Sequence, residues 1–547
     1  MADAQVPIII IGGGPVGLVL AISLHALGIR SVLVNTDVST RWIPKGSTHN
    51  SRTMEHYRRL GVADKVRALG LPPDDNTDVA FFTRLNGWEL ARLPMSSSRE
   101  KMRQVRDAPV TDQVPEPIHR ANQMYVEAFL YEHIKTLSNV SLRYGWECVD
   151  FVDGGDGVNA TIEHIASGKQ ETIRCAYLVG CDGGQSFVRR KLDISYAGEG
   201  KLEQAFLGGR MVSSYVRAPD LYRCVRRRSF HYWVVNPSIR TAIVTLNGSG
   251  EFLFWTQLRR FDEQPDDKKI ASALRAGVGE DINVELLGNS IWTAGQALVA
   301  ERFGAGRVLL AGDSVHLFTP TGGFGMNTGV DDAANLAWKL AAVLQGWGGP
   351  RLLASYEIER KPVALRNTSA ARALACNIGD TPVAPEIEED SAAGAAARSE
   401  AGAFLSTFGE EFASLGVQLG ARYDGSHIVV SDGIAPPADD PVTYVPSACP
   451  GGRAPHLWFP DRSSLFDHFG LGFTLLRLPG CRQDTRALES AARSRGVPLT
   501  VLDVAVAEGR ALYERDLALI RPDQHVAWRG NRLPDDCEAL IERVTGW

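Results

Sequence analysis

Three glycine-containing stretches hold the residue types that could grip a phosphate, a ribose or a ring system. The first is Gly12-x-Gly14-x-x-Gly17, set between an apolar β-branched run and a helix-like run. Glycines at that spacing allow a tight turn and let backbone approach a pyrophosphate seated on the positive end of the helix. Gly12, Gly14, Pro15 and Gly17 are therefore expected at a pyrophosphate. The acidic residue that normally closes the second strand is replaced by Asn35, with Asp37 two positions on. An amide can hydrogen-bond a ribose hydroxyl, but without charge assistance. This motif alone does not separate FAD from NAD. The second stretch does. Residues 306–311 read as a strand ending in Gly312-Asp313, followed by Pro320-Thr321-Gly322-Gly323-Phe324-Gly325-Met326-Asn327 and a helix. An Asp at a strand's end can accept a hydrogen bond from a ribityl hydroxyl. A glycine-rich turn feeding a helix can present N–H groups to an isoalloxazine carbonyl or a phosphate. The third stretch, Cys181-Asp182-Gly183-Gly184-Gln185-Ser186-x-x-Arg189, read by itself is a capped helix start with Asp182 or Ser186 as the cap. His231, Tyr232 and His316 are candidate bases, although a lone His is more often a satisfied structural residue.

These stretches need elements to position them. Residues 8–11, 16–27 and 31–34 read as strand, helix and strand of a βαβ unit. Residues 72–118 are rich in Pro, Asp and Ser and read as an irregular excursion; helical periodicity returns over 123–136. Residues 230–235 and 252–255 are aromatic and β-branched, as strands of a substrate-binding sheet would be, or of an ordinary core. Residues 308–311 read as a buried strand, 331–344 as a long helix and 361–415 as Ala-rich helix. Pro436-Pro437-Ala438-Asp439-Asp440-Pro441 reads as a linker, and 474–478, 499–502 and 517–520 are spaced like strands of a small α/β domain.

The net charge of −6 argues against a general nucleic-acid binder. Arg outnumbers Lys by 47 to 11, but the arginines are scattered. Eight Cys form no C-x-x-C pair, no disulfide framework and no metal cluster, so free thiols in a reducing cytoplasm are expected. Residues 6–24 are uncharged and nearly long enough to span a membrane, but Gly12-Gly13-Gly14-Pro15 interrupts them, and no other segment reads as a span.

Together the three stretches resemble the aromatic-hydroxylase branch of FAD monooxygenases, the group around p-hydroxybenzoate hydroxylase and phenol hydroxylase. Its dinucleotide fingerprint, central Asp-Gly motif and Gly-Asp motif occur here in order. Asn335-Leu336-Ala337-Trp338-Lys339-Leu340, Arg52-Thr53-Met54-Glu55 and Arg120-x-x-Gln123 follow the same pattern. The tail, with Pro450-Gly451-x-Arg453-Ala454-Pro455-His456 and the run from Ile520 to Arg529, is similar to the 2,4-dichlorophenol 6-monooxygenase and polyketide-tailoring subgroup. The resemblance implies an α/β fold: a Rossmann-like, glutathione-reductase-type FAD domain (1–75, 119–190 and 290–360), an inserted β-sheet substrate domain (76–118 and 191–289), a helical segment (361–430) and a C-terminal thioredoxin-like domain (431–547). It implies non-covalent FAD, NADPH or NADH as co-substrate, and hydroxylation of a phenolic ring through a flavin C4a-hydroperoxide. A small aromatic substrate, O2 and a homo-oligomer are expected as partners; nucleic acid, membrane and metal are not. Carried over by position, Arg52, Arg120 and Gln123 would contact phosphates or flavin, Lys45 stands where relatives have Arg, and Asp182 would touch FAD and NAD(P)H. Gly312, Asp313, Gly323 and Gly325 would line the ribityl chain and ring, with Met326 and Asn327 beside the isoalloxazine and Pro320 facing the substrate. A flavoprotein that only holds an aromatic intermediate is the alternative.

Overall fold

The computed structural model describes residues 4–200, 206–258, 263–379, 381–412 and 414–547. At its centre, strand Ala4–Ile11 lies between Lys169–Gly180 and Ser31–Asn35, all parallel. Val140–Tyr144 extends the sheet on one side and Val308–Leu310 on the other. Ile8, Ile9, Ile10 and Ile11 are all buried, as an uninterrupted apolar run must be in a parallel strand covered on both faces. The helix Pro15–Ala26 packs along Phe324–Leu344. That second helix starts seven residues before the expected position. Its glycines are used for close approach: a Cβ on Gly329 would lie 2.6 Å from Val16 Cγ2.

A seven-stranded sheet forms the second layer, in the order Glu285–Ala294, Gly209–Arg217, Glu251–Gln257, Arg240–Thr245, His231–Val235, Val79–Phe82, Glu89–Leu93. Its last two strands come from the stretch expected to be irregular, which also holds the helix Ser98–Arg106. Val79–Phe82 pairs in parallel with His231–Val235, so local composition gave no sign of a strand whose partner is 152 residues away. Two boundaries also move. Glu285–Ala294 runs past 289, and the helix expected from 361 is Ala354–Gly379, with Pro362 inside it.

The C-terminal strands are ordered Leu499–Asp503, Phe473–Arg477, Leu517–Ile520, Val526–Gly530, the first two parallel and the rest antiparallel. Helices Arg486–Ser494 and Cys537–Thr545 pack against each other on this sheet. This module shares a core with the first domain: Trp338, Trp347 and Leu352 pack with Phe473, Leu517 and Ile541. A buried charged seam runs beside that core. Arg453 binds Glu55, and Arg521 and Lys339 bind Glu359, with side chains at most 1% exposed. Among the described residues, no helix is long and apolar enough to cross a membrane, and no cluster of His, Cys, Asp and Glu could hold a metal ion.

Candidate cofactor and substrate site

The turn after Ala4–Ile11 assigns a different task to each glycine. Gly12 sits at φ +111°, and a Cβ there would strike Cys181 O at 2.2 Å; on Gly17 it would meet Gly12 O at 2.0 Å. On Gly14 it would meet nothing within 4 Å. So Gly12 and Gly17 close strand against helix, while Gly14 keeps space open in front of the helix. Gly14 is also the N-cap of Pro15–Ala26, and no side chain caps it. The helix's first N–H groups and its positive dipole end thus face a place an anion could occupy. Gly323 starts Phe324–Leu344 in the same uncapped way. These features fit a dinucleotide with its pyrophosphate at the first helix.

A cleft of about 490 Å³ opens between the central sheet's loops and the seven-stranded sheet. On one side it is lined by Lys45, Arg120, Gln123, Asp313, Pro320, Gly323, Gly325 and Met326, and on the other by Phe230, His231, Trp233, Trp255 and Trp292. Arg120 links the two sides. It donates to Thr48 Oγ1, and its guanidinium carbon lies 5.2 Å from the Phe230 ring and 5.9 Å from Phe412. His231 packs 4.7 Å from the Trp233 ring, with Nε2 buried and unpartnered. Burial, reinforced by the charge of Arg120, pushes its pKa down to about 3. It is therefore neutral near pH 7 and a poor acceptor for the proton of a phenol, whose pKa is near 10 by analogy with Tyr.

Several expected residues lie elsewhere. Tyr232 faces away from the cleft, because side chains alternate along His231–Val235. It is packed among Phe82, Val212 and Leu274, and its hydroxyl accepts from Ser229 N at 2.8 Å. Arg52 points toward the C-terminal module, donating to Glu55, Gln524 Oε1 and the Asp523 carbonyl at 2.6–2.8 Å. His316 does not line the cleft: it is buried behind it, with Nε2 2.6 Å from Asp332 and Nδ1 without a hydrogen-bond partner. Ser186 caps the helix Phe187–Lys191, accepting from Arg189 N, and Asp182 supports that cap by accepting from Ser186 Oγ and Val188 N. The motif reaches the cleft indirectly, as Arg189 stacks 3.8 Å over Tyr196, whose hydroxyl donates to the Asp313 carbonyl. Asn35 Oδ1 accepts from Gly13 N at 3.0 Å. The Asn327 side chain donates to Thr48 O and Gly323 O and accepts from Asn50 N, so it braces the turn. Gly312 backs the turn against Val16. Sequence reasoning missed Trp292, Gln296 and Phe412, which line the cleft. Only the two-residue alternation of the strands, extended past residue 289, hinted at Trp292.

Residues 5–371 match the family described as FAD binding domain, and residues 447–547 match the aromatic-ring hydroxylase C-terminal family. A putative polyketide hydroxylase of Streptomyces halstedii is 32% identical over 555 residues, spanning 96% of this chain and 93% of that protein. The FAD-dependent monooxygenase apdD of Emericella nidulans is 31% identical over 571 residues, spanning 99% and 90%. Among solved structures, RebC soaked with chromopyrrolic acid and holding 7-carboxy-K252c is similar at a TM-score of 0.89 and 34% identity, with both chains covered in full.

Proposed function

The chain belongs to the FAD-dependent aromatic-ring hydroxylases, and from that premise we propose that it inserts one atom of O2 into an extended, hydroxylated aromatic substrate at the expense of NADPH or NADH. The observation that carries this reading is the cleft, which joins the glycine-rich turn at Gly323–Met326 to the indoles of Trp233, Trp255 and Trp292. A planar ring system laid between them has an aromatic wall on one face and the cofactor turn on the other. The polyketide hydroxylase relative supports a polyketide as that substrate.

FAD, when bound, supplies the chemistry of O2 activation, and this chain binds, orients and shields. The turn Gly12–Gly17 would take the pyrophosphate, Asp313 the ribityl chain and Gly323–Met326 the edge of the ring, with Lys45 and Gln123 alongside and Pro320 toward the substrate. Hydroxylation is easier on a phenolate than on a phenol. With His231 held neutral, this reading gives that task to charge: Arg120, Lys45 and Arg41 line the cleft, against one carboxylate, Asp313, among the described residues. The apolar wall of Leu253, Ile291 and Trp292 limits water at the reacting carbon. We read the C-terminal strand order, a βαβ unit followed by a hairpin and a helix, as thioredoxin-like. It lacks C-x-x-C and has no thiol-exchange role in this scheme. NAD(P)H use and eight free cysteines suit a reducing cytoplasm.

The test is NADH and NADPH oxidation by the FAD-loaded protein with hydroxylated polycyclic aromatics and with simple phenols, followed by product mass under 18O2. A polycycle should stimulate oxidation and gain one labelled oxygen. Label from water would sink the monooxygenase reading. Tight aromatic binding with no product from any compound would favour a flavoprotein that only holds an intermediate.

A further inference from the structure

Asp332, on Phe324–Leu344, is fully buried, and one of its oxygens serves two donors. Oδ2 accepts from Gly312 N at 3.2 Å and from His316 Nε2 at 2.6 Å. Its other oxygen accepts from Arg360 Nε at 2.8 Å in a buried ion pair. A carboxylate only accepts, so His316 carries its hydrogen on Nε2. A single oxygen therefore ties together both ends of the segment 312–316, whose second residue, Asp313, lines the cleft. The segment has little freedom otherwise. Gly312 sits at φ +66° with Val16 Cγ2 2.8 Å from where its Cβ would be, and Ser314 Oγ donates to Gly180 O at 2.7 Å.

The clamp continues outward. Arg360 also binds Asp331 and donates to Thr328 O at 3.2 Å. Asp331 accepts from His56 Nε2 at 2.8 Å and lies 3.6 Å from Arg52 Nε. Arg52 in turn donates to Gln524 and Asp523 of the C-terminal module. An unbroken run of buried polar contacts thus leads from the C-terminal module to the turn bearing Asp313.

We infer that Asp332, acting through His316 and Gly312, is the positioning residue for the Gly312–Asp313 turn, and that the C-terminal module braces this clamp through Arg52 and Arg360. The inference rests on the reading of Asp313 as the ribityl ligand. The clamp spares Asp313 the entropy of being ordered when the cofactor arrives, so its loss lowers affinity for FAD without unfolding the domain.

The experiment uses the full chain stripped of flavin and titrated with FAD by fluorescence quenching, with circular dichroism and thermal melting as checks on folding. His316→Ala should weaken FAD binding at least tenfold and blur the resolved shoulders of the flavin's visible band. His316→Gln, whose amide N–H can still reach Asp332, should recover most of both. Should the alanine variant fail to fold, His316→Asn, polar but one bond too short, carries the same expectation. A folded His316→Ala or His316→Asn protein with wild-type affinity would overturn the inference. Asp313→Ala separates the two levels. If it binds FAD poorly while the His316 variants bind normally, only the positioning role falls. If it too binds normally, the ribityl reading falls.

Discussion

The charged seam and the wall of the cleft both bury polar atoms, yet they complete them differently. In the seam, Glu55 accepts from Arg52 and Arg453, Glu359 from Lys339 and Arg521, and Asp331 from His56 and Arg360. Burial alone would raise the pKa of Glu55, and the charges of Arg453 and Arg52 more than reverse it. In the wall, His231 Nε2 and the indole N–H groups of Trp233, Trp255 and Trp292 have no protein partner. The difference follows from magnitudes. A buried charge left alone costs several kcal/mol, so the seam must be closed by the protein itself. A neutral group without a partner costs about 1–3 kcal/mol, which a fold can tolerate where a ligand is to bind. The seam is architecture, and the proposed function assigns the wall's unpaired groups to a substrate.

The largest expected effect is in the seam. Arg521→Ala strands Glu359 beside a single cation and should lower stability by about 3–5 kcal/mol, read by urea denaturation of the FAD-loaded protein. A loss below about 1 kcal/mol would mean that these pairs do not join the modules.

An intermediate effect concerns pH in the wall. The folded pKa of His231, about 3, lies below the unfolded value near 6.5. As pH falls below about 6.5, the unfolded chain takes up this proton and the folded chain does not, so stability drops at roughly 1.4 kcal/mol per pH unit for this group. Above pH 6.5 it contributes no slope. His231→Gln should therefore flatten the stability profile, relative to wild type, by about that slope between about pH 6 and 4.5. Identical profiles for variant and wild type would show that His231 is not desolvated as its packing indicates.

The smallest effect on stability, and the sharpest contrast, is expected from Trp255→Phe. It keeps an aromatic face and removes an unpartnered N–H, so stability should change by less than about 1 kcal/mol. The KM for an aromatic substrate should rise severalfold while kcat stays within about twofold. A stability loss as large as that of Arg521→Ala would make the wall ordinary core.

Much of the cofactor side was legible because its signals are local. Gly12, Gly14 and Gly17 act within six residues of one another, and the strand, turn and helix they join are their own sequence context. Gly312-Asp313 and the turn before Phe324–Leu344 were readable for the same reason. Arg52 was not. Its family motif placed it near the cofactor, but its partners Asp523 and Gln524 lie more than 470 residues away. Tyr232 and His231 illustrate a second limit. Alternation says that neighbours on a strand face opposite ways, but not which face meets the cleft.

The amino-acid sequence by itself determined the βαβ unit and the two glycine-rich turns, because these follow from backbone sterics, helix ends and hydrophobic period over short spans. Tertiary structure alone decided which charges pair and which aromatics meet. With 58 Lys and Arg and 64 Asp and Glu in the chain, composition allows thousands of ion pairs. Only the docking of the C-terminal module onto Phe324–Leu344 selects Arg453 for Glu55 and Arg521 for Glu359. Likewise, Trp233, Trp255 and Trp292 become one wall only when three strands distant in sequence are laid into the same sheet and bury the same face.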